Sequence, residues 1–237
     1  VGVWLISLST TRLGYYWQWY RLPRYLFRIE AGRLVAGDLI KGLFFTFRIS
    51  GVSLVLALAI GLATALLRLS DSFMGRVLTR VYLEVIRNTP LVVQMYLAYF
   101  VAGPILGIGR FASAVLALSL FEGSYMSEIF RAGIQSIDKG QWEGGQALGL
   151  TAAGTMRRII LPQAIRRMLP ALTNRGIEIF KMSTLASAVA YVELLQQGKL
   201  IASLDYNPIE VYTVIALAFF ALLYPLVQLT RRPWRWR

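Results

Sequence analysis

The sequence lacks cysteine and histidine entirely over its 237 residues. Without cysteine the chain can form no disulfide, thiolate metal site or cysteine nucleophile. Without histidine it has no Ser-His-Asp triad, no helical histidine site for zinc and no imidazole that titrates near neutral pH. Hydrolysis by paired carboxylates or by a serine-lysine pair stays open. The missing residue types therefore exclude most of the common enzyme chemistries.

Acidic residues are also few, with 12 Asp and Glu against 25 Lys and Arg and a formal net charge of +13. Charged residues make up 16% of the chain, whereas a soluble domain usually carries about 25%. Apolar residues make up 57%, and the mean hydropathy is +0.57. A nucleic-acid-binding protein would carry its basic residues on a polar, soluble surface. The composition instead predicts a membrane protein whose surface largely faces lipid.

The sequence contains no phosphate-binding loop of the form G-x-x-x-x-G-K-[ST]. The nearest approach, Gly140 to Gly145, is followed by Gln146 and not by lysine. We therefore expect that the chain does not itself bind ATP, and that it carries no catalytic residue, cofactor or metal.

Five apolar stretches have the length that a membrane span requires, which is about 20 largely apolar residues for a helix. Four are clear, and the fifth carries Glu178, Lys181 and Glu193 near its ends. The predicted spans cover residues 44–67, 90–109, 111–130, 177–195 and 209–230. The sequence thus predicts an all-α integral membrane protein of about five transmembrane helices.

The distribution of arginine and lysine predicts the orientation, because cytoplasmic loops carry an excess of basic residues. If residues 131–175 are cytoplasmic, most basic residues fall on that side, and the two short outer loops hold only Arg110 and Lys199. Residues 1–36 are rich in Tyr, Trp and Arg, which is typical of a segment at the membrane interface. In this orientation they lie on the outer side, where their arginines break the rule that basic residues favour the cytoplasmic side. Residues 231–237 suit an anchor to anionic lipid.

The loop 131–175 contains the most informative pattern. Residues 140–149 predict a short helix that stops at Gly149, followed by a second helix capped by Thr151. The side chains from 144 to 154 are mostly Gly, Ala or Thr, so another protein can approach the backbone closely. A solvated amphipathic hairpin between two spans is the alternative interpretation of this pattern.

The order and spacing of the loop residues carry a family resemblance. The motif consists of Gly140, Glu143, Gly144, Gly145, Gly149, Leu161 and Pro162. It resembles the EAA loop of the membrane subunits of bacterial ABC importers. Strings at 87–94, 127–137 and 181–185 narrow the resemblance to the permeases for polar amino acids, the histidine, glutamine, glutamate and arginine group. The resemblance covers roughly residues 37 to 230.

The chain departs from the family pattern at a few positions. The usual Glu-Ala-Ala is Glu143-Gly144-Gly145, the usual glycine after the first arginine is Asn88, and Lys181 precedes methionine. Each glycine in a helix costs about 1 kcal/mol relative to alanine. We therefore expect a looser coupling helix unless its partner orders it.

The resemblance implies the ABC type I importer fold in the bacterial cytoplasmic (inner) membrane. It also implies a second permease subunit, identical or a sister, together with a cytoplasmic ATPase dimer that binds the ATP. An extracytoplasmic solute-binding protein would deliver the amino-acid substrate. In that family the loop that corresponds to the region around Glu143 docks into a cleft on the ATPase, and the loop residues named above would couple the two subunits.

Several polar residues in or near the spans are candidates for the translocation path: Arg87, Gln94, Glu122, Lys181, Ser183 and Thr184. Carboxylates within lipid are costly and often functional, so Glu122 either pairs with another span, for example at Lys181, or faces a polar cavity. Glu128 lies three residues before Arg131, and an i,i+3 ion pair is its simpler interpretation. Arg87 can instead anchor its helix at the interface, and Ser and Thr can bond between helices.

Two other functions compete with an ATP-driven importer of polar amino acids. A proton-coupled secondary transporter would use Glu122 and Glu128 as proton carriers, but it needs no long docking loop. An intramembrane enzyme would need a nucleophile and base or a metal constellation, and the sequence shows neither.

Overall fold

The computed structural model describes residues 15–231 and shows a mostly helical molecule. A small antiparallel hairpin pairs β1 (Phe27–Glu30) with β2 (Arg33–Ala36), so the prediction of an all-α chain is wrong in this detail. The helices in chain order are α1 Leu22–Leu26, α2 Asp38–Leu69, α3 Phe73–Arg87, α4 Leu91–Tyr96, α5 Gly103–Leu106, α6 Arg110–Gln135, α7 Lys139–Ala147, α8 Ala152–Thr155, α9 Leu161–Met182, α10 Leu194–Asp205 and α11 Pro208–Arg231.

Short turns of other helix types connect some of these elements. A π-helical turn, Leu97–Ala102, joins α4 to α5, and another, Met156–Ile160, joins α8 to α9. A 3₁₀ turn, Trp19–Arg21, precedes α1. The predicted C-terminal anchor beyond Arg231 and the first part of the predicted interfacial belt, residues 1–14, lie outside the described residues.

Helices α2 and α6 pack closely because small residues face each other along their contact. A Cβ on Gly61 would lie 2.8 Å from the Cβ of Met126, and a Cβ on Gly123 would lie 2.9 Å from Ile60. Helices in lipid associate largely through the close packing of such small residues. The buried residues of α2 recur every three or four positions and include Ser50, Ser53, Ala57, Gly61 and Thr64.

Within residues 15–231, two helices are long and apolar enough to cross a membrane, α2 and the segment Pro208–Gln228 of α11. A third is counted if α3 and the segment Leu91–Leu106 are one broken span, although their axes differ by 105°. The remaining helices do not pass this test of length and composition. The total of five spans therefore stays a prediction.

The bend between α3 and α4 lies at residues 88–90. Pro90 has an extended ψ of 138° and precedes the first residue of α4, where its lack of an N–H costs no helical bond. The predicted span 90–109 corresponds to Leu91–Leu106, and Gly107 ends it with a φ of 67°. The bend and this stop shorten the apolar segment relative to the prediction.

The predicted span 177–195 is not one helix. Helix α9 ends at Met182, and a 3₁₀ turn, Ser183–Val189, follows it. Ala190 then has a left-handed φ of 54°, and α10 begins after Glu193. The Glu193 carboxylate accepts hydrogen bonds from the first backbone N–H groups of α10, as a side chain at a helix start commonly does. This carboxylate is therefore a helix cap.

Helix α9 begins at Leu161, within the predicted cytoplasmic loop 131–175. The arginines of this stretch favour a position outside the membrane core. The helix nevertheless buries an apolar face with Ala164 and Met168. A Cβ on Gly133 of α6 would lie only 2.1 Å from the Met168 side chain. The contact with α6 therefore fixes the start of α9, and the local composition does not reveal it.

Residues 15–26 pack against the connection between α10 and α11. The Tyr15 hydroxyl donates a hydrogen bond to Glu210, which is fully buried. Arg24 donates to the Asp205 carboxylate at 2.8 Å, and the Tyr25 hydroxyl donates to the same group. We call these contacts the N-terminal clamp. They join two parts of the chain that we predict to lie on the same, extracytoplasmic side.

Candidate functional site

Side chains cap both helices of the coupling segment, which we define as residues 139–162. The Asp138 carboxylate accepts a hydrogen bond from the Gly140 N–H at 2.7 Å at the start of α7. The Thr151 hydroxyl accepts one from the Gly154 N–H at 3.1 Å at the start of α8. Such caps satisfy backbone donors that have no partner within the helix. The predicted cap at Thr151 is confirmed.

Helix α7 ends at the predicted glycine. Gly149 has a φ of 73°, and its N–H donates to the carbonyl of Gln146 at 2.9 Å. The Leu150 N–H donates to the carbonyl of Gly145 at 3.1 Å. These two bonds form a Schellman motif, in which the left-handed residue is usually glycine. The turn between α7 and α8 is therefore a defined structure.

The two glycines that replace alanines in the family motif differ in their surroundings. A Cβ on Gly145 would lie 2.5 Å from Cγ2 of Thr155, whereas a Cβ on Gly144 would meet nothing within 4 Å. Thr155 is fully buried and occupies the space that an alanine side chain would need. The close packing against Thr155 therefore requires glycine at position 145 but not at position 144. Glu143, beside them, is exposed.

The coupling segment is joined to the helix bundle through an apolar cluster. Trp142 of α7 packs against a buried group that includes Ile134 and Ile137 at the end of α6 and Ile160 just before α9. Pro162 follows directly and is exposed. The cluster therefore joins α7 to both α6 and α9, and such a contact is what a coupling element would need.

Glu128 binds arginines from three helices. Its carboxylate lies 2.5 Å from Arg68 of α2, 2.8 Å from Arg131 of α6 and 3.5 Å from Arg87 of α3. The predicted pair with Arg131 is confirmed. The sequence analysis missed the other two arginines as partners, because they lie far from Glu128 in sequence. The local signal that could have pointed to them is that Arg68 and Arg87 each lie in the last turn of a helix.

Glu122 is fully buried and faces one arginine. Its Oε2 lies 3.7 Å from Nη1 of Arg175, and neither carboxylate oxygen accepts a hydrogen bond from the described residues. The suggested pairing with Lys181 is wrong, because Lys181 lies 3.8 Å from Glu178 on its own helix. Arg175 is a residue that the sequence analysis did not select. It was assigned to the loop because the start of α9 was missed.

A tyrosine of the same helix as Glu122 contacts two arginines. The Arg175 guanidinium lies 4.5 Å from the ring centroid of Tyr125, and the Arg87 guanidinium lies 5.0 Å from it. Such contacts attract a cation to an aromatic face. Arg87 also donates to the Ser124 carbonyl. We call Arg87, Glu122, Tyr125 and Arg175 the central polar cluster.

The remaining path candidates do not converge on the central polar cluster. Gln94 donates to the Ile86 carbonyl at 2.8 Å and thereby holds the bend between α3 and α4. Ser183 donates to the carbonyl of Phe180, and Thr184 donates to that of Lys181, so neither hydroxyl bonds between helices. Thr184 and Lys181 line a separate apolar groove against α11. Of the predicted set, Glu122 lies on the same helix as Tyr125, and Arg87 contacts the ring of that tyrosine.

The described residues contain no group of three or more acidic side chains that could hold a metal ion. The charged groups of the central polar cluster can instead bind charged organic groups, since a carboxylate accepts from an ammonium and guanidinium groups donate to a carboxylate.

Comparison with known proteins identifies a family model for residues 55–231, described as "Binding-protein-dependent transport system inner membrane component". A probable amino-acid ABC transporter permease protein, YckA, of Bacillus subtilis (strain 168) is 37% identical over 77% of this chain and 81% of its own length. The L-cystine transport system permease protein TcyB of the same organism is 35% identical over 80% of this chain and 82% of its own length.

A solved structure is also similar to this chain. The crystal structure of an amino acid ABC transporter with histidines superposes with a TM-score of 0.75 at 35% sequence identity. The match covers 81% of this chain and 91% of the solved one.

Proposed function

Because the chain belongs to the family of binding-protein-dependent transport system inner membrane components, we propose that it is the transmembrane subunit of an ATP-driven importer of polar amino acids. The observation that carries the proposal is the family match over 55–231, which includes the complete coupling segment. Relatives named for amino-acid and L-cystine transport support an amino-acid substrate. Membership of an inner-membrane family supports the bacterial cytoplasmic membrane as its location.

The coupling segment is the surface through which the chain would meet its ATPase. The exposed Glu143, the small side chains beside it and the left-handed turn at Gly149 present backbone to a partner. The apolar contact of Trp142 with α6 and α9 would carry the partner's motion into the membrane helices. In this arrangement the ATPase dimer binds ATP and this chain carries no cofactor.

Two further partners complete the proposed assembly. A second permease subunit, identical to this one or a sister, would form the other half of the core. A solute-binding protein would dock at the end of the bundle that carries the N-terminal clamp, opposite the coupling segment. The permeation path between the two ends then needs polar groups within the helices.

The central polar cluster is our candidate for a substrate-contacting part of that path. An α-amino acid presents an ammonium group and a carboxylate, and the cluster offers Glu122 to the first and Arg87 or Arg175 to the second. The burial of Glu122 without a hydrogen-bond donor supports this assignment. Gln94, Lys181, Ser183 and Thr184 have local partners instead, which gives them less support as path residues.

The alternative of a proton-coupled transporter lacks support. Glu128, one of its two proposed proton carriers, is held by three guanidinium groups. A carboxylate engaged by three cations is poorly suited to carry a proton across the membrane, because it would have to break these ion pairs in each cycle.

Reconstitution tests the proposed function. The full chain is placed in liposomes with its ATPase and its solute-binding protein, and uptake of a panel of labelled amino acids is measured with and without ATP. We expect ATP-dependent uptake of one or more polar amino acids and none without the ATPase. Uptake driven by a proton gradient in the absence of ATP would contradict the proposal and restore the secondary transporter.

A further inference from the structure

An open cavity of about 830 Å³ lies between α3 and the ends of α2 and α6. Its lining contains two acidic residues, Glu84 and Glu128. Its arginines outnumber them and come from all three helices: Arg68, Arg76, Arg80, Arg87 and Arg131. We call this space the basic cavity. It lies at the end of the bundle that we predict to face the cytoplasm.

Two of these arginines are not neutralised by acidic side chains. Glu128 already binds the arginines of α2 and α6 and lies close to Arg87. Arg76 donates to the Ser70 carbonyl at 3.0 Å and forms no ion pair within the described residues. Arg80 forms neither an ion pair nor a hydrogen bond there. The basic cavity therefore retains positive charge, and it is concentrated on the exposed side of α3.

Helix α3 presents a second, apolar stripe beside the arginines. The side of α3 that packs against the other helices carries Gly75, Thr79 and Leu83. The Tyr82 hydroxyl donates a hydrogen bond to the Leu120 carbonyl at 2.6 Å. The apolar stripe faces away from the protein, and its residues are between 56% and 61% exposed: Met74, Leu78, Val81 and Val85. A helix with a basic side and an exposed apolar side is typical of a membrane interface.

The bend after α3 gives the helix a suitable direction. The axis of α3 makes an angle of 105° with that of Leu91–Leu106. If the latter segment runs across the bilayer, α3 lies close to the membrane plane. Residues 70–72 connect α3 directly to the end of α2, a helix apolar enough to span the membrane, so α3 begins at the membrane boundary.

We propose that the basic cavity binds the phosphate headgroup of an anionic phospholipid, whose acyl chains lie along the apolar stripe of α3. Arg76 and Arg80 supply guanidinium groups, which bind phosphate through paired N–H donors. The negative surface of the cytoplasmic leaflet attracts basic residues placed at the membrane boundary. Charge complementarity and the adjoining apolar stripe together favour a lipid over a soluble phosphate.

Native mass spectrometry of the purified transporter complex tests the proposal. The delipidated complex is titrated with phosphatidylglycerol and, separately, with phosphatidylcholine. We expect selective binding of the anionic lipid and a loss of roughly 10- to 30-fold in its affinity in the variant Arg76→Gln/Arg80→Gln. The matched control Arg166→Gln/Arg167→Gln removes two exposed charges of α9 from the same predicted face and should keep the affinity. Unchanged lipid affinity in the first variant would overturn the proposal.

Three further arms separate the other outcomes. Displacement of the lipid by millimolar inorganic phosphate alone would overturn the lipid assignment in favour of a soluble anion. A changed number of permease subunits in the variant, with the lipid count unaltered, would overturn it in favour of an interface between copies. If the glutamine variant does not fold, Arg76→Lys/Arg80→Lys keeps the charge but loses the paired donors. We expect this lysine variant to bind phosphatidylglycerol with an affinity between those of the unaltered complex and of the glutamine variant. If it binds both lipids as tightly as the unaltered complex does, the proposed site is contradicted.

Discussion

Gly145 and Thr155 meet so closely that the family's usual alanine does not fit between them. The change Gly145→Ala would bring a Cβ to 2.5 Å from Cγ2 of Thr155. Because overpacking a filled site typically costs about 1–3 kcal/mol, we expect a lower unfolding temperature of the transporter complex and reduced ATP-dependent uptake. Thermal unfolding and uptake in liposomes measure the two effects.

The neighbouring glycine supplies the matched control. A Cβ at Gly144 meets nothing within 4 Å, so Gly144→Ala should stabilise α7 by up to about 1 kcal/mol. The added change Thr155→Ala should restore stability to Gly145→Ala. Equal effects of the two single alanine variants would contradict this account of the contact.

Glu143 and Gly149 are expected to link ATP hydrolysis to uptake. Glu143→Lys reverses an exposed charge, and Gly149→Leu places a bulky side chain at a φ of 73°, a conformation that costs L-residues about 1–2 kcal/mol. We expect both variants to hydrolyse ATP without matching uptake. Parallel assays of substrate-stimulated hydrolysis and uptake test this, with Glu30→Lys on the hairpin as the charge control. Normal values of both quantities would refute the coupling role.

Glu122 is expected to affect substrate affinity. Glu122→Gln keeps the shape of the side chain but leaves Arg175 without its buried counter-charge. Because the neutral amide cannot pair with a substrate ammonium, and a hydrogen bond to a charged group contributes about 1.5–3 kcal/mol, we expect the KM for uptake to rise by roughly tenfold or more. Glu178→Gln, which alters a partly exposed carboxylate on the same helix as Arg175, should leave the KM nearly unchanged. An unaltered KM and uptake rate in Glu122→Gln would remove the path role.

The packing of α2 against α6 depends on glycine at one position and not at another. A Cβ on Gly61 would lie 2.8 Å from Met126, whereas one on Gly51 of the same helix meets nothing within 4 Å. We expect Gly61→Val to destabilise the complex by about 1–3 kcal/mol and Gly51→Val to be tolerated. Unfolding temperatures in detergent compare the two variants, and similar values for both would contradict the close packing of these helices.

At the scale of the elements, features that depend on neighbouring residues could be predicted from the sequence, whereas features that depend on contacts between distant residues could not. The Thr151 cap and the Gly149 turn were predicted because a capping hydroxyl and a left-handed glycine are local features. The start of α9 was missed, because it depends on the contact of Met168 with α6. The hairpin was missed because its strands are short. The arginine pairs of Glu128 and Glu122 join separate helices, which a sequence does not bring together.

At the scale of the whole molecule, the N-terminal clamp makes stability depend on pH. The hydrogen bond from Tyr25, with the adjacent Arg24, holds the pKa of Asp205 below its ordinary value, which is about 3.9. Folding thus favours the ionised carboxylate, and this contribution is present above the ordinary pKa. It is lost as the pH falls through the lowered pKa of the folded state. Acid should therefore release residues 15–26.

The variant Asp205→Asn tests this dependence. We expect it to lower the unfolding temperature at pH 7 and to differ less and less from the unaltered chain as the pH falls below about 4. Glu30→Gln, which removes a hairpin carboxylate, controls for the loss of one negative charge. A difference between the Asp205 variant and the unaltered chain that stays constant across this range would contradict the role of the clamp.

The excess of positive charge also becomes clearer at this scale. Many arginines of the predicted cytoplasmic side line the basic cavity or lie on the exposed side of α9. Several arginines of the N-terminal region belong to the clamp or the hairpin, where Asp205 and Asp38 hold Arg24 and Arg28. The composition predicts a membrane protein and shows its excess of positive charge. Which contact each arginine makes follows only from the folded structure.

The arrangement around Glu128 has a consequence for relative motion. One carboxylate has two oxygens, and it is shared by cations from α2, α3 and α6. If one of these helices moved, the other two would still supply cations to the carboxylate, so the motion would avoid the cost of an unpaired charge. The shared carboxylate thus holds three helix ends together without requiring them to keep one fixed arrangement.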